Sequence, residues 1–190
     1  MRCTRLPSVM MQLPEVQNIV ATAQLGCALD LHDIAARGIN VEYNPQIFNG
    51  LTMRLKNPKC SVNIFTSGSI VCLGTKTEEM ARKGTRRCAR IIQKLGFPVN
   101  FQNFQIVHYV GSGNLNQRPN FYTFFEENKK YSEFTPEVFP GLIYRENNIT
   151  VVVFKSGKYI ITKSRTRTEL YKAFENFEKK IKNHYLPPHS

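Results

Sequence analysis

Two stretches of the chain share one hydrophobic and polar pattern. Residues 47–71 read IFNGLTMRLKNPKCSVNIFTSGSIV, and residues 138–160 read VFPGLIYRENNITVVVFKSGKYI. In each stretch, short runs rich in apolar residues flank a turn-forming segment, KNPK in the first and RENN in the second. Such runs on either side of a turn are typical of strands, so each stretch predicts a β-hairpin.

The two hairpins belong to an internal repeat. Four residues recur 91 positions later, and beyond the turn the offset falls to 89: Pro45 and Pro136, Phe48 and Phe139, Gly50 and Gly141, Arg54 and Arg145, then Phe65 and Phe154, Gly68 and Gly157. The second hairpin is therefore two residues shorter. We predict repeats over residues 14–98 and 99–186, with tails at 1–13 and 187–190.

Each hairpin is followed by a predicted amphipathic helix. The first begins after Thr77 and ends at Gly96, and its inward positions are Ala81, Gly84, Cys88, Ile91 and Leu95. The second runs from Thr168 to about Tyr185, with Leu170, Phe174, Phe177, Ile181 and Tyr185 on one side. A β-rich stretch and a short helix precede each hairpin, the first short helix running from about Asp30 to Gly38.

These elements predict an α+β fold with pseudo-symmetry. One antiparallel sheet would carry both long helices on a single face, because the apolar side of each helix must pack against an apolar surface. The other face carries Val, Phe and Asn with few charges. An open sheet face of this kind is typical of an interface.

The phenylalanines lie at corresponding places in the two hairpins. We predict Phe48 opposite Phe65, with the turn at Lys56 and Asn57, and Phe139 opposite Phe154, with the turn at Glu146 and Asn147. The two separations differ by an even number of residues, so both pairs lie on the same sheet face. A phenylalanine on a strand is more often buried in a core, so core burial is the alternative for these four rings.

Charge narrows the class of partner. The 190 residues carry 26 Lys and Arg against 14 Asp and Glu, a net charge of +12. This indicates a polyanionic partner, either nucleic acid or an acidic membrane surface. Four aromatic rings on an open sheet of a basic chain favour nucleic acid.

Several other classes of function find little support. No apolar run is long enough to span a bilayer, so we expect no membrane insertion. The five cysteines are scattered without a C-x-x-C pair, which favours reduced thiols and predicts no metal site. The histidines have no evident catalytic partners, and VGSGN lacks the last glycine of a dinucleotide motif. We therefore predict neither an enzyme nor a cofactor.

Longer motifs carry a resemblance to a known family. QNIVATAQLGCALDLHDIA, FTSGSIVCLGTKTEE, ARIIQKLGFP, EFTPEVFPGLIYR and YKAFENF resemble the TATA-box-binding protein family, and the resemblance extends from about Pro14 to Tyr185. It implies a saddle of two repeats whose concave, curved sheet lies on the DNA minor groove, with the long helices on the convex face. It further implies a nuclear factor that bends promoter DNA and starts assembly of the preinitiation complex.

The resemblance assigns roles to individual residues. The rings that insert between base steps would be Phe48, Phe65, Phe139 and Phe154. The minor-groove floor would be Asn18, Val20, Val71, Leu73, His108, Val110, Val152 and Thr162. Phosphate contacts, predicted from the position of basic residues near turns and strand ends, would come from Arg54, Lys56, Lys59, Lys76, Arg145, Lys155, Lys158 and Arg165.

The resemblance also implies protein partners. Transcription factors IIA and IIB and the TATA-box-binding-protein-associated factors would contact the helices and the second hairpin, at Arg82, Arg86, Arg87, Arg90, Lys94, Glu137 and Val138. A solvated helix face is the alternative for the basic residues. The sequence does not decide whether two copies of the protein form a homodimer through the concave face.

Three departures from the family pattern bear on specificity. The chain has His108 where the family has a second central Asn, Leu73 where a Thr is usual, and Asn63 beside the first pair of rings, where an apolar residue is usual. They leave open a protein-interaction scaffold with weakened or altered DNA specificity, and strict TATA preference is not expected. Binding of single-stranded RNA through the same aromatics is a further alternative.

Overall fold

The computed structural model describes residues 13–187, so the predicted tails lie outside it except for Leu13 and Pro187. The first repeat contains β1 (Glu15–Gln24), α1 (Leu31–Arg37), β2 (Val41–Glu42), β3 (Leu51–Lys56), β4 (Lys59–Ile64), β5 (Ser69–Thr75) and α2 (Glu78–Lys94). The second contains β6 (Gln102–Asn114), α3 (Phe121–Glu127), β7 (Ser132–Glu133), β8 (Gly141–Glu146), β9 (Ile149–Phe154), β10 (Lys158–Ser164), α4 (Arg167–Ile181) and a 3₁₀ turn (Lys182–His184).

All described strands form one antiparallel sheet of ten strands in the order β2-β3-β4-β5-β1-β6-β10-β9-β8-β7. The order reads alike from either end, so the pseudo-twofold axis passes between β1 and β6. Their register pairs Asn18 with Val110 and Val20 with His108. Exchanging the repeats therefore places Asn18 on His108 and Val20 on Val110.

Strand alternation sends one set of side chains to the helices. In β3, Leu51, Met53 and Leu55 are buried, whereas the residues between them are half-buried or exposed. The buried side chains join α1 and α2 in one core, and the equivalent side chains of the second repeat join α3 and α4 in another. Both cores lie on the same face of the sheet. The α+β fold with helices on one face is confirmed.

The central strands connect the two cores. Val16 and Ile19 of β1 pack in the second core, and Ala21 and Ala23 pack in the first. Ile106 of β6 contacts both. Because each core takes side chains from the other repeat's central strand, neither repeat has a complete core by itself.

Both long helices begin at the capping residue that their sequence requires. The Thr77 hydroxyl accepts from the Met80 N–H at 3.2 Å, and the Thr166 hydroxyl accepts from the Glu169 N–H at 3.0 Å. Such a cap satisfies a backbone donor that the helix itself leaves without a partner. The second helix therefore starts at Arg167, one residue before the predicted Thr168.

One inward position of the predicted helices was wrong. In α2, Ile91 and Leu95 are half-buried and pack against the first core as predicted, and the buried face also includes Ile92. Tyr185 follows the 3₁₀ turn and is not helical. Leu170, Phe174, Phe177 and Ile181 are buried as predicted.

No helix in residues 13–187 is long and apolar enough to cross a membrane. The four cysteines of this part of the chain, Cys27, Cys60, Cys72 and Cys88, are free thiols, as predicted.

Two glycines offer a matched test of the backbone. Gly68, between β4 and β5, and Gly96, after α2, both have positive φ, +81° and +97°. A Cβ at Gly68 would lie 2.2 Å from the carbonyl oxygen of Cys27, whereas nothing lies within 4 Å at Gly96. We expect Gly96→Ala to lower the free energy of unfolding by about 1 kcal/mol from left-handed strain alone, and Gly68→Ala by a further 1–3 kcal/mol or so from the clash.

Urea unfolding followed by circular dichroism measures both values. Equal losses would show that the contact between Gly68 and Cys27 does not constrain the loop.

Candidate nucleic-acid interface

The sheet face opposite the helices, here called the open face, is lined by residues that belong to neither core. They are Thr52, Ser61, Asn63, Val71 and Leu73 in the first repeat, and Ile143, Thr150, Val152, Ile160 and Thr162 in the second. None of them is charged, and most are half-buried by their neighbours. The open face is therefore an uncharged floor of apolar and small polar side chains that no described part of the chain covers.

The four phenylalanines lie in two pairs toward the two ends of this face. None belongs to either core. Phe48 contacts Phe65 edge to face with ring centroids 5.8 Å apart, and Phe139 contacts Phe154 at 6.0 Å. These distances are typical of aromatic pairs. The predicted pairing of the rings on one face is thus observed.

The register within each hairpin differs from the prediction. Leu51 lies opposite Ile64 and Lys56 opposite Lys59, so the turn is at Asn57 and Pro58, one residue later than predicted. In the second hairpin the turn is at Asn147 and Asn148, again one residue later. Both turns have two residues, so the second hairpin is one residue shorter on each side of its turn, counted from Gly141 and Phe154 as against Gly50 and Phe65.

Glycines rather than phenylalanines lie directly opposite Phe65 and Phe154. Gly141 pairs with Phe154, and the register of the first hairpin places Gly50 opposite Phe65. A Cβ at Gly50 would lie 2.7 Å from the Phe48 ring, and one at Gly141 would lie 2.7 Å from the Phe139 ring. Phe48 and Phe139 precede their strands and lean over these glycines, which explains how the rings meet without being cross-strand neighbours.

The middle of the open face is formed by Asn18, Val20, His108 and Val110. Asn18 accepts a hydrogen bond at its Oδ1 from the Gly74 N–H, at 2.7 Å. This bond fixes the amide so that its two N–H donors are left for another partner. His108 occupies the equivalent position but makes no such bond to Lys163, the counterpart of Gly74, among the described residues.

The electrostatics at His108 favour the neutral ring. Partial burial, and next the positive charge of Lys163, lower the pKa of His108 below its ordinary value of 6.5. The imidazole therefore offers one N–H donor where the Asn18 amide offers two. The two central positions differ in hydrogen-bonding capacity as well as in shape.

The basic residues predicted to contact phosphate fall into two groups. Arg54 pairs with Glu42 at 2.9 Å, Arg145 with Glu133 at 2.6 Å, and Lys76 with Glu15 at 3.5 Å, all exposed. Within residues 13–187 no ion pair engages the others, which are Lys56, Lys59, Lys155, Lys158 and Arg165. Exposed pairs are weak, so an incoming anion can compete for the first group too.

Lys155 and Lys158 differ in their surroundings. Lys158 lies beside Phe154 and Ile160 on the open face. Lys155 instead lines a surface cavity with Tyr122 and Leu186. Lys158 is thus the better placed of the two for a ligand on the open face.

The basic residues predicted to bind protein partners lie on α2, on the side of the sheet opposite the open face, and the other two lie in the loop that leads to Phe139. Arg82, Arg86, Arg87, Arg90 and Lys94 are exposed on α2, and Glu137 and Val138 are exposed in the loop before β8. Arg82 stacks over Phe104 at 4.3 Å and Arg86 lies over Phe101 at 6.0 Å. Arg87 donates to the Asn57 carbonyl at 2.6 Å, so it also supports the first hairpin turn.

Sequence reasoning missed several residues of this surface. Thr52 and Ile143 lie on the open face, and Gly50 and Gly141 make room for the rings. The alternation in LTMRLK was the available signal for Thr52, whereas GLIYRE has three apolar residues in succession and gave no such signal for Ile143. The proximity of Lys163 to His108 had no sequence signal, since it depends on the pairing of β6 with β10.

The pKa of His108 provides a test of this geometry. We expect its ring to titrate below 6.5, and Lys163→Gln to raise the pKa because a nearby positive charge disfavours the imidazolium. The folded state thus prefers neutral His108, and this contribution to stability is present above pH 6.5 and is lost as pH falls. NMR titration of the ring protons measures the pKa, with Lys155→Gln as control. A pKa unmoved by Lys163→Gln would contradict the placement of Lys163.

Comparisons with known proteins agree with this geometry. The family model described as transcription factor TFIID (or TATA-binding protein, TBP) matches residues 13–95 and 103–184. The chain is 44% identical over 166 residues to the TATA-box-binding protein of Xenopus tropicalis, covering 86% of this chain and 56% of that one. It is 44% identical over 176 residues to that of Tetrahymena thermophila, covering 88% and 72%.

A solved structure is similar as well. The Methanococcus jannaschii TBP superposes with a TM-score of 0.77 at 30% identity, covering 90% of this chain and 99% of that one. The chain spans a little over half the length of the Xenopus relative. Two matched repeats and the shared saddle fold show that this chain belongs to the TATA-binding protein family.

Proposed function

We propose that this protein is a general transcription initiation factor that binds the minor groove of A/T-rich, TATA-like promoter DNA and bends it. The observation that carries the proposal is the arrangement of two aromatic pairs on an uncovered sheet face. The relatives named TATA-box-binding protein support it. Binding would take place in the nucleus and would begin assembly of the preinitiation complex.

The aromatic pairs would act as wedges. Rings that enter between base pairs unstack one step at a cost of a few kcal/mol, which is recovered when the bent duplex contacts more protein surface. Gly50 and Gly141 allow the rings to stand close to the sheet without a clash. Two pairs toward the two ends of one face would kink the duplex at two places and leave the steps between them against the floor.

The floor suits the minor groove of A·T pairs. That groove presents acceptors, the adenine N3 and the thymine O2, and is read coarsely. The N–H donors of Asn18 and one of His108 can meet these acceptors, while Val20 and Val110 fill the space between. Width and ease of bending would supply much of the remaining preference.

Protein partners would bind outside the open face. Arg82 and Arg86 are held by Phe104 and Phe101, so this part of α2 presents ordered positive charge. We propose transcription factors IIA and IIB and the associated factors as the partners, with Glu137 and Val138 in the second-repeat contact.

A scaffold that binds DNA weakly is the second candidate. It is favoured by three departures on the open face: Asn63 is polar where an apolar residue is usual, Leu73 is apolar where a Thr is usual, and His108 offers one N–H donor where an amide offers two. In that case the exposed arginines of α2 would carry the function, and the open face would contribute little affinity.

Bending separates the two candidates. We expect Phe139→Ala with Phe154→Ala to remove roughly half of the bend in an A/T-rich duplex, because the step at that end is no longer unstacked while Phe48 and Phe65 still open the other. Arg86→Ala with Arg90→Ala should leave the bend intact and weaken partner binding. Fluorescence energy transfer between the duplex ends measures the bend. Arg87 is avoided because it supports a hairpin turn.

Equal loss of bending in both double variants would show that the two faces are wrongly assigned. Absence of duplex binding by the unaltered protein would favour the scaffold.

Salt dependence tests the phosphate contacts. The logarithm of affinity should fall with that of salt concentration by about 0.9 per phosphate neutralised. Lys158→Ala should reduce the slope by about that amount. Lys83→Ala is the matched control, because Lys83 lies on the exposed side of α2 and pairs with Glu79. Filter binding at several salt concentrations gives the slopes, and equal slopes for all three proteins would contradict the role of Lys158.

A further inference from the structure

The two halves of the open face differ next to the aromatic pairs. In the first repeat, Thr52 lies opposite Asn63. In the second, Ile143 lies opposite Val152. The two pairs occupy matching positions, since each lies two residues inside the glycine and the phenylalanine of its hairpin. Pseudo-symmetry thus places a polar pair where its counterpart is aliphatic.

Thr52 and Asn63 are bonded to each other. The Thr52 hydroxyl donates to Asn63 Oδ1 at 3.0 Å, and both residues are half-buried and outside the core. An amide oxygen can accept two hydrogen bonds, and the amide nitrogen has two donors. No other described residue bonds to these side chains, so an acceptor and two donors face the open side.

The minor-groove edge of a G·C pair matches this set. It has the same acceptors as an A·T pair, and in addition the exocyclic N2 amino group of guanine as a donor. Asn63 Oδ1 can accept from that amino group while Nδ2 donates to a neighbouring acceptor. Ile143 and Val152 can do neither, and a guanine amino group against them would be buried without a partner.

We propose that Thr52 and Asn63 form a subsite for the guanine amino group, so that the first half tolerates a G·C pair and the second half excludes it. The inference rests on the proposed function. It also assigns a direction, because a site with G·C at one end would place that end under the first repeat.

The position of the subsite follows from strand geometry. Asn63 precedes Phe65 by two residues on the same face, a distance of about 7 Å along the strand. Stacked bases are about 3.4 Å apart along one DNA strand. The tolerated pair is therefore one or two base pairs inside the step opened by Phe48 and Phe65.

Duplexes with inosine test the proposal. Inosine paired with cytosine lacks only the N2 amino group. Three duplexes share an A/T site: one unchanged, one with a single G·C pair two steps inside one end, and one with I·C there. We expect the unaltered protein to bind all three within about threefold, measured by fluorescence anisotropy.

Making the first half like the second should remove the tolerance. Thr52→Ile with Asn63→Val should bind the A/T and I·C duplexes as before but the G·C duplex about tenfold more weakly. Ser61→Thr is the control, because it also gives a first-half position the residue of its second-half counterpart, Thr150. It should leave the relative affinities for the three duplexes unchanged. The reverse change, Ile143→Thr with Val152→Asn, should allow a duplex with G·C at both ends, which the unaltered protein binds about tenfold more weakly.

The outcomes distinguish this inference from the function on which it rests. Suppose that both double variants bind the A/T duplex tightly and that their affinity for G·C duplexes, relative to the A/T duplex, equals that of the unaltered protein. This result would overturn the subsite alone. The subsite would also be overturned if Thr52→Ile with Asn63→Val bound the I·C duplex as weakly as the G·C duplex. Failure of the unaltered protein to bind the A/T duplex would overturn the proposed function and the subsite with it.

Discussion

Burial of one sheet face against the helices is the interaction on which the rest of the molecule depends. Each fully buried Leu, Ile or Phe side chain contributes about 1.5–3 kcal/mol, and both cores draw such side chains from the sheet and from a long helix. Because successive strand residues point to opposite faces, every side chain committed to a core sends its neighbour to the open face. The aromatic pairs and the floor are on that face as a consequence.

The central strands β1 and β6 hold the two repeats together. Their side chains cross into each other's core, and their register superposes Asn18 on His108. The scaffold is therefore nearly symmetric, whereas the chemistry on it is not. Asn18 bonds to the Gly74 backbone and Thr52 bonds to Asn63, but His108 lies near Lys163 and Ile143 lies against Val152. A nearly symmetric backbone whose two halves carry different side chains on the open face is suited to a ligand whose two ends differ.

Local pattern was enough for much of the architecture. The repeat, the hairpins, the long helices and the single covered face were all confirmed, because each leaves a periodic signal or a capping residue such as Thr77. The errors arose where the pattern was ambiguous. Counting from ring to ring placed each turn one residue early, since Phe48 and Phe139 precede their strands and lean over a glycine. The spacing of 3 and 4 residues in the first long helix also missed Ile92, which is fully buried.

The sequence by itself determined which residues alternate, where helices begin, and that two similar halves exist, because these are consequences of local spacing and backbone chemistry. Only the tertiary structure decided which side chains meet across strands. Strand register and helix placement together decide the electrostatic effect of Lys163 on His108, the bond between Thr52 and Asn63, and the hydrogen bond from Arg87 to Asn57. Such pairings join residues distant in the chain, so no local pattern encodes them.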